Sequence, residues 1–531
     1  MTTTQPADLP FAPAASLTLV EQLAARYTER IAQRLLAPGA RLPSVRECAR
    51  RHAVSPSTVV GAYDLLQARG LVQARPQRGF FVREHPGPEP GGARAASGAH
   101  RTAPAATPRP APVDATALIR SMFQAQGGLP APGMGTLPEA WLDAPLLQRA
   151  LRRVCAAPAA WLRYGEPAGD ARLRAALAQR LADIGIAAAP GQIVTTVGAT
   201  HALDLVSRTL LQPGDAVLVD EPGWAVEYAR LTRAGMRLLP VPRGSTYGSQ
   251  ADGGPDLVVM EALLKAHRPR LYVTVSVLHN PTGASLTPAA AHQVLRLAEA
   301  HDLTIVEDDS YAWLAPPHAP RLAQLDGLRR TVYVSGFSKI LVPQWRVGFV
   351  AAAPALAERL IDTKLVGTLS TPGPLEQAVA LCLEQGSLRR HAERVLAQLD
   401  AARARTVRLA RDAGCRFVAP PAGLFGWVDV GTDTEALAQA LLDEGWLTAP
   451  GTLFHATPRP TTLMRVNFAT AQDARFWRRL RQLVDGARGY ALHTCDARGR
   501  VVAWSDGAVA LFGYADAAAR DLDVAALFTP E

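Results

Sequence analysis

The run Val334-Ser335-Gly336-Phe337-Ser338-Lys339, with Arg346 seven residues further on in Trp345-Arg346-Val347-Gly348, decides how this chain is read. A β-like stretch, residues 331–335, delivers a lysine flanked by a hydroxyl and an arginine. A lysine amine attacks an aldehyde to form a covalent imine. Ser338 and Arg346 suit a phosphate, because the guanidinium fork binds two oxygens at once. Together they are what pyridoxal 5'-phosphate (PLP), held as an aldimine on Lys339, requires. Lysine is also scarce: of 56 basic residues only Lys265, Lys339 and Lys364 are lysines. Arginine, with a pKa above about 12, offers no free amine, so a lysine kept at 339 is informative.

Around this run, β-like stretches at 192–197, 216–220, 271–277, 304–307 and 331–335 alternate with helical patterns. Such alternation predicts an α/β domain with a mainly parallel sheet, whose ligand sits at the edge where strands lead into loops.

Over residues 115–486 the chain resembles the fold-type I aminotransferases. The resemblance implies partners for the cofactor, one at a time. Asp308, in Val306-Glu307-Asp308-Asp309-Ser310-Tyr311, matches the aspartate that keeps the pyridine nitrogen protonated, with Asp309 as the alternative. Tyr311 and Asn280, the latter in His279-Asn280-Pro281-Thr282-Gly283, match the two groups that bond the phenolic oxygen. Gly198, Ala199 and Thr200 lie between a strand and a helix, where backbone N–H groups cradle phosphate. Trp224 matches the aromatic stacked on the ring. Tyr164 matches a tyrosine reaching the partner subunit's phosphate, which implies a homodimer. Arg465, in Met464-Arg465-Val466-Asn467-Phe468, matches the arginine that holds a substrate carboxylate. Two departures stand out: Gly336 replaces a usual hydroxyl and Ala199 a frequent serine, each removing about one phosphate contact while leaving the lysine chemistry intact.

The first eighty residues read as helix (17–36, stopped at Pro38-Gly39), helix (44–52), helix (57–69), then a short hairpin (71–74 and 80–83). Ser44 and Ser55 are the expected N-caps. The runs Leu42-Pro43-Ser44-Val45-Arg46-Glu47, Val54-Ser55-Pro56-Ser57-Thr58-Val59 and Ala62-Tyr63-Asp64-Leu65-Leu66 resemble the winged helix-turn-helix of GntR-family regulators, over residues 17–83. The third helix would then enter the major groove of double-stranded DNA. Ser44, Ser55, Ser57, Thr58 and Tyr63, with Arg41 and Arg46, are the candidate DNA contacts there, and Arg75 and Arg78 the candidate contacts on the wing.

Four segments follow: 1–83 DNA-binding, 84–113 a Pro/Gly/Ala-rich linker, 114–486 aminotransferase-like, and 487–531 a tail. A coil of about 30 residues spans about 30 Å, or up to about 90 Å in polyproline form. The tail reads as a hairpin and short helices, and Asp496-Ala497-Arg498-Gly499-Arg500-Val501-Val502, Trp504 and Leu511-Phe512-Gly513-Tyr514 resemble the first half of a PAS sensor domain.

Composition agrees with a multidomain protein: 531 residues, 48% apolar and 19% charged, exceed one compact core. The net charge of +9 permits an acidic partner. The five cysteines are scattered, without the spacing of a metal site or disulfide framework, so no metal is expected. No secretory pattern or membrane-spanning apolar run is present, which predicts a cytoplasmic protein.

The order winged helix, linker, aminotransferase-like domain resembles the MocR subfamily. It implies a PLP-dependent transcription regulator that binds two operator half-sites as a homodimer and senses a small amino compound, or PLP itself. The alternative is a working aminotransferase with an appended DNA-binding module.

Overall fold

The computed structural model describes residues 18–32, 36, 38–75, 78–83, 130–156, 162–244, 253–488, 493–495, 500–504, 508–509, 512–514, 516–519 and 522. The expected linker, 84–113, lies outside the described residues. The chain divides into two compact units, residues 1–129 with 442–445 and residues 130–441 with 446–531.

In the N-terminal unit three helices, α1 (Leu19–Ala32), α2 (Val45–His52) and α3 (Pro56–Ala68), precede strands β1 (Val72–Arg75) and β2 (Gly79–Val82). The caps explain where the helices begin. Ser44 Oγ accepts from the Glu47 N–H at 3.3 Å, and Ser55 Oγ from the Thr58 N–H at 3.1 Å. Pro56 takes the first helical position, where its missing N–H costs nothing. Leu23, Tyr27, Cys48, Val59, Tyr63 and Leu66 pack together as the core, closed by Val72 and Val82 of the antiparallel wing.

The second unit is built on a seven-stranded sheet in the order β3-β9-β8-β7-β6-β4-β5. Its strands are β3 (Ile193–Thr196), β4 (Ala216–Glu221), β5 (Arg237–Pro242), β6 (Leu271–Thr274), β7 (Thr304–Asp308), β8 (Thr331–Gly336) and β9 (Gly348–Ala351). All neighbours run parallel except β9, which is antiparallel to both β3 and β8. Strands buried on both faces need unbroken apolar runs, as in Ala216-Val217-Leu218-Val219. Alternate side chains go to opposite helix layers. Val217 and Val219 meet Leu203, Leu231 and Leu360, while Leu218 meets Met260, Leu264 and Val294.

Beyond the sheet, the long Ser387–Asp412 helix leads to a four-stranded antiparallel sheet, ordered β10 (Arg416–Phe417), β11 (Phe425–Asp429), β13 (Leu463–Asn467), β12 (Ala449–Pro450). The tail's β14 (His493–Cys495) pairs antiparallel with β15 (Val501–Trp504), and the expected turn between them, 496–499, lies outside the described residues. The mainly parallel sheet agrees with the sequence pattern. One difference is that β6 stops at Thr274 rather than 277. The Val275 N–H donates to the Asp220 carboxylate at 3.1 Å, which takes it out of the ladder.

Candidate functional site

The loops that leave the C-terminal ends of β3, β4, β6, β7 and β8 bring the motif residues to one edge of the sheet, as expected for a doubly wound α/β domain. Strand alternation sorts the three consecutive acids. Glu307 accepts from the Leu322 and Ala323 N–H groups at 2.7 and 2.8 Å, capping the Leu322–Asp326 helix. Asp309, on the same side, accepts from Arg321 Nε at 2.5 Å and from the Tyr333 hydroxyl at 2.8 Å. Asp308 points the other way and shares a small cavity with Trp224, its Oδ1 held by the Ser310 N–H at 3.0 Å. Of the two aspartates, only Asp308 faces the site.

Lys339 Nζ donates to the Gly135 carbonyl at 2.8 Å. A methyl added at Gly135 would lie 3.7 Å from that amine and 3.8 Å from Arg465 Nη2, so the two cations are near neighbours. Arg465 is buried. It donates to Asn280 Oδ1 at 2.9 Å and to the Gly133 carbonyl at 2.8 Å, and its guanidinium lies over the rings of Phe425 and Phe454. Tyr311 packs edge-on against the same Phe425. Lys339, Tyr311, Asn280 and Arg465 therefore form one cluster, and the Asp308 charge acts on both the lysine and the tyrosine.

Burial sets the charges. It pushes the Lys339 amine down to about 8, helped by the Arg465 charge. It raises the Asp308 carboxyl to about 6 and lowers Arg465 to about 10, which leaves the guanidinium charged at neutral pH. Burial also raises the Tyr311 phenol.

Beside this cluster three backbones meet closely. A methyl at Gly198, whose φ is +77°, would lie 2.5 Å from Arg346 Nη2, and one at Gly348 would lie 2.7 Å from the Ala199 nitrogen. Only glycine permits that approach. Arg346 Nη1 reaches Ser338 Oγ at 3.2 Å and Nη2 reaches the Val197 carbonyl at 3.2 Å. Gly198, Ala199 and Thr200 form the first turn of the Gly198–Leu210 helix, whose leading N–H groups have no carbonyl partners within the helix. Ser338, Arg346 and this turn make a cationic cradle suited to an anion. At Gly336 a methyl would come 3.3 Å from the Val347 carbonyl and 3.5 Å from the Ala199 nitrogen, a tight fit for any side chain.

Tyr164 is 89% exposed, beside exposed Leu162. Gly165 would place a methyl 3.5 Å from Ser370 Oγ, so this segment neighbours the one that bears exposed Val366 and Leu369.

In the N-terminal unit Arg41, Ser44, Arg46, Ser55, Ser57 and Arg78 are exposed, and Thr58 and Arg75 are half-buried. A methyl on Gly79 would lie 3.4 Å from Arg41 Nε, so Arg41 stands against the wing, and Arg75 lies over the Phe81 ring at 4.6 Å. Tyr63 corrects the sequence reading. Its ring is wholly buried and its hydroxyl donates to the Pro43 carbonyl at 2.9 Å, so it holds α3 against the start of α2 instead of facing DNA. The outward face of α3 shows Ser57, Val60, Asp64 and Gln67.

Three participants went unread in the sequence. The Gly133 and Gly135 carbonyls approach Arg465 and Lys339 from more than 200 residues away, and a turn-rich Pro-Gly-Met-Gly run gives no sign of that. His201 Nδ1 accepts from the Val197 N–H at 3.0 Å and its ring meets Thr368 Oγ1 at 3.2 Å, bracing the cradle. Its position directly after Thr200 was the available hint.

Comparison with known proteins agrees with both units. The family "Aminotransferase class I and II" matches residues 133–481, and "Bacterial regulatory proteins, gntR family" matches residues 19–82. The uncharacterized HTH-type transcriptional regulator YdcR of Escherichia coli is 30% identical over 479 residues, 87% of this chain and 97% of its own length. The HTH-type transcriptional regulator TauR of Rhodobacter capsulatus is 30% identical over 474 residues, 83% of this chain and 91% of its own. Among solved structures, LysN of Thermus thermophilus is an alpha-aminoadipate aminotransferase complexed with N-(5'-phosphopyridoxyl)-L-leucine. It superposes with a TM-score of 0.62 at 26% identity, over 69% of this chain and 95% of its own.

Proposed function

The chain belongs to the aminotransferase class I and II family, with a gntR-type domain ahead of it in the order of MocR-type regulators, and from that premise we propose that it is a PLP-dependent, DNA-binding transcription regulator. The observation that supports the reading most directly is Lys339. Its amine is half-buried beside Arg465 and acidified to about 8, so a usable share of it is unprotonated near neutral pH.

The residues fit the cofactor. Arg346, Ser338 and the N–H groups of the turn beginning at Gly198 would hold the phosphate. Asp308 has one carboxylate oxygen tied to Ser310 and the other available to a pyridine nitrogen, opposite Trp224. Asn280 and Tyr311 would meet the phenolic oxygen, as the resemblance to aminotransferases implies. PLP, when bound, supplies an aldehyde that captures amines and a ring that draws electrons from them. Arg465 supplies a fixed positive charge for a carboxylate, and its hydrogen bond to Asn280 keeps that charge oriented toward the lysine.

Regulation in this reading is a difference in affinity. An amino compound, or PLP itself, bound at Lys339 favours one arrangement of the linked DNA-binding domains over another. The protein acts as a homodimer in which Tyr164 reaches the partner's phosphate. Exposed Leu162, Tyr164, Val366 and Leu369 on one unit support this, since a patch of large apolar side chains usually marks an interface. Two winged helices then address two half-sites. The tail after residue 487 is carried as a partial PAS-like extension. Among the described residues no helix is long and apolar enough to cross a membrane; the reading assigns the protein to the cytoplasm.

Selection of the full chain against a pool of random duplex DNA tests the proposal, followed by titration of the enriched duplex with and without PLP and a panel of amino acids. The regulator reading expects a two-half-site sequence whose affinity shifts with PLP or with one amine. Steady release of a keto acid, with DNA affinity indifferent to both, would instead make the chain an aminotransferase.

A further inference from the structure

A groove of about 310 Å³ lies between the Ala171–Asp183 helix, Trp313, and the turn joining the Gly373–Glu384 and Ser387–Asp412 helices. That volume is the low end for a small-molecule site. Its floor is apolar, from Ala176, Trp313, Leu383 and Leu388. Its rim holds both signs of charge: Arg180 and Arg389 on one hand, Asp183 and Glu384 on the other.

The rim charges are not equally occupied. Glu384 is already claimed by Arg172, whose Nε donates to it at 2.6 Å. Arg180 is different. Its guanidinium lies 4.3 Å over the Trp313 ring, and among the described residues it makes no hydrogen bond or ion pair. Stacking fixes the fork in place without using its donors, and burial lowers its pKa, against the opposing charge of Asp183. Arg389 has only a loose neighbour, Glu393 at 3.9 Å. Asp183 accepts only from Gln179, at 3.5 Å. Two arginines with free donors and a nearly free carboxylate, around an apolar floor, match a carboxylate, an ammonium and an apolar body on one small molecule.

We propose that this groove is a second small-molecule site, for a free amino acid with an apolar side chain, which Arg180 and Arg389 hold by its carboxylate and Asp183 by its ammonium group. It is separate from the Lys339 cluster, yet it adjoins it. Trp313 follows Tyr311 by two residues on the same turn, where the Leu314 N–H donates to the Tyr311 carbonyl at 2.8 Å, and it packs on Phe337, two residues before Lys339. An occupant of the groove therefore touches the back of the loop whose front bears Tyr311. The inference does not depend on the cofactor reading.

Calorimetric titration of the full chain bearing Lys339→Ala and dialysed free of PLP, with L-leucine and L-phenylalanine as probes, tests it, because without the aldehyde no amine is captured covalently. Saturable binding of at least one probe is expected at millimolar or lower concentration. It should weaken roughly tenfold or more in Arg180→Ala, and by a similar factor in Asp183→Asn, which exchanges one exposed group and leaves the fold intact. Arg329→Ala, which changes an exposed arginine outside the groove, should leave it unchanged. Absence of saturable binding by both probes, or binding that ignores Arg180 and Asp183, would overturn the proposal.

Discussion

Arg465 Nη1 donates to Asn280 Oδ1 at 2.9 Å across 185 residues of sequence, joining the four-stranded sheet to the turn after β6. The pair is buried, so each partner leaves the other unsatisfied when removed. Arg465→Ala should cost about 1–3 kcal/mol of stability by stranding the Gly133 carbonyl and Asn280. It should also weaken capture of carboxylate-bearing amines by roughly tenfold or more, while amines without a carboxylate are affected much less. Titrating the PLP-loaded protein with an amino acid and its decarboxylated counterpart separates the two effects.

Asp308 and Asp309 are adjacent and should behave oppositely. Asp308→Asn removes the carboxylate that faces the site, so the bound cofactor's spectrum should change while the melting temperature moves little. Asp309→Asn breaks a fully buried pair with Arg321, and such losses cost about 3–5 kcal/mol. Its melting temperature should fall sharply. Equal effects of the two substitutions on the spectrum would contradict the assignment.

These acids also show what the sequence could and could not disclose. Alternation along β7 puts residues 307 and 309 on one side and 308 on the other, but the sequence does not say which side is the site; that depends on Arg321 and Tyr333, which come from later elements. The parallel sheet was legible because β4, β6, β7 and β8 are short apolar runs between helical patterns. The four-residue β9 was not, since it directly follows the irregular turn at Arg346 (φ +49°). Tyr63 was misassigned because its motif lies on the helix expected to enter the groove, while its own position on that helix faces inward. The Gly133 and Gly135 carbonyls were invisible because backbone atoms leave no mark on residue identity.

Attachment of PLP should depend on pH in a way set by Lys339. An exposed lysine reacts faster with rising pH up to about 10.5, its ordinary value, whereas an amine lowered to about 8 should level off near pH 8. The sign for stability follows. Between those two values the unfolded chain binds the proton that the folded chain has lost, so without the cofactor Lys339 makes stability rise with pH across that window. Rates of absorbance change after mixing with PLP, across buffers, check the first statement; rates still climbing well above pH 8 would contradict it.

The winged helix should separate stability from DNA affinity. Ser55→Ala removes an N-cap and should cost about 1 kcal/mol. Tyr63→Phe should cost a similar amount, about 1 kcal/mol, through the bond to Pro43. Arg41→Ala and Arg78→Ala, both exposed, should leave stability within about 0.5 kcal/mol. Each should flatten the salt dependence of duplex binding by about one phosphate contact. Unfolding curves and binding at several salt concentrations report these outcomes.

The apolar surface around Leu162, Tyr164, Val366 and Leu369 should be covered by a second copy. Val366→Glu, in an exposed position, should leave the fold of each chain intact and convert dimers to monomers in sedimentation. A dimer unmoved by that change would place the interface elsewhere.

The central claim is that one lysine of three holds the cofactor. The full chain is incubated with PLP, treated with borohydride to make the linkage permanent, and digested for peptide mass spectrometry. The account predicts a phosphopyridoxyl group on Lys339, with Lys265 and Lys364 unmodified. A folded chain that carries the label on Lys265 or Lys364, or on no lysine at all, would contradict it.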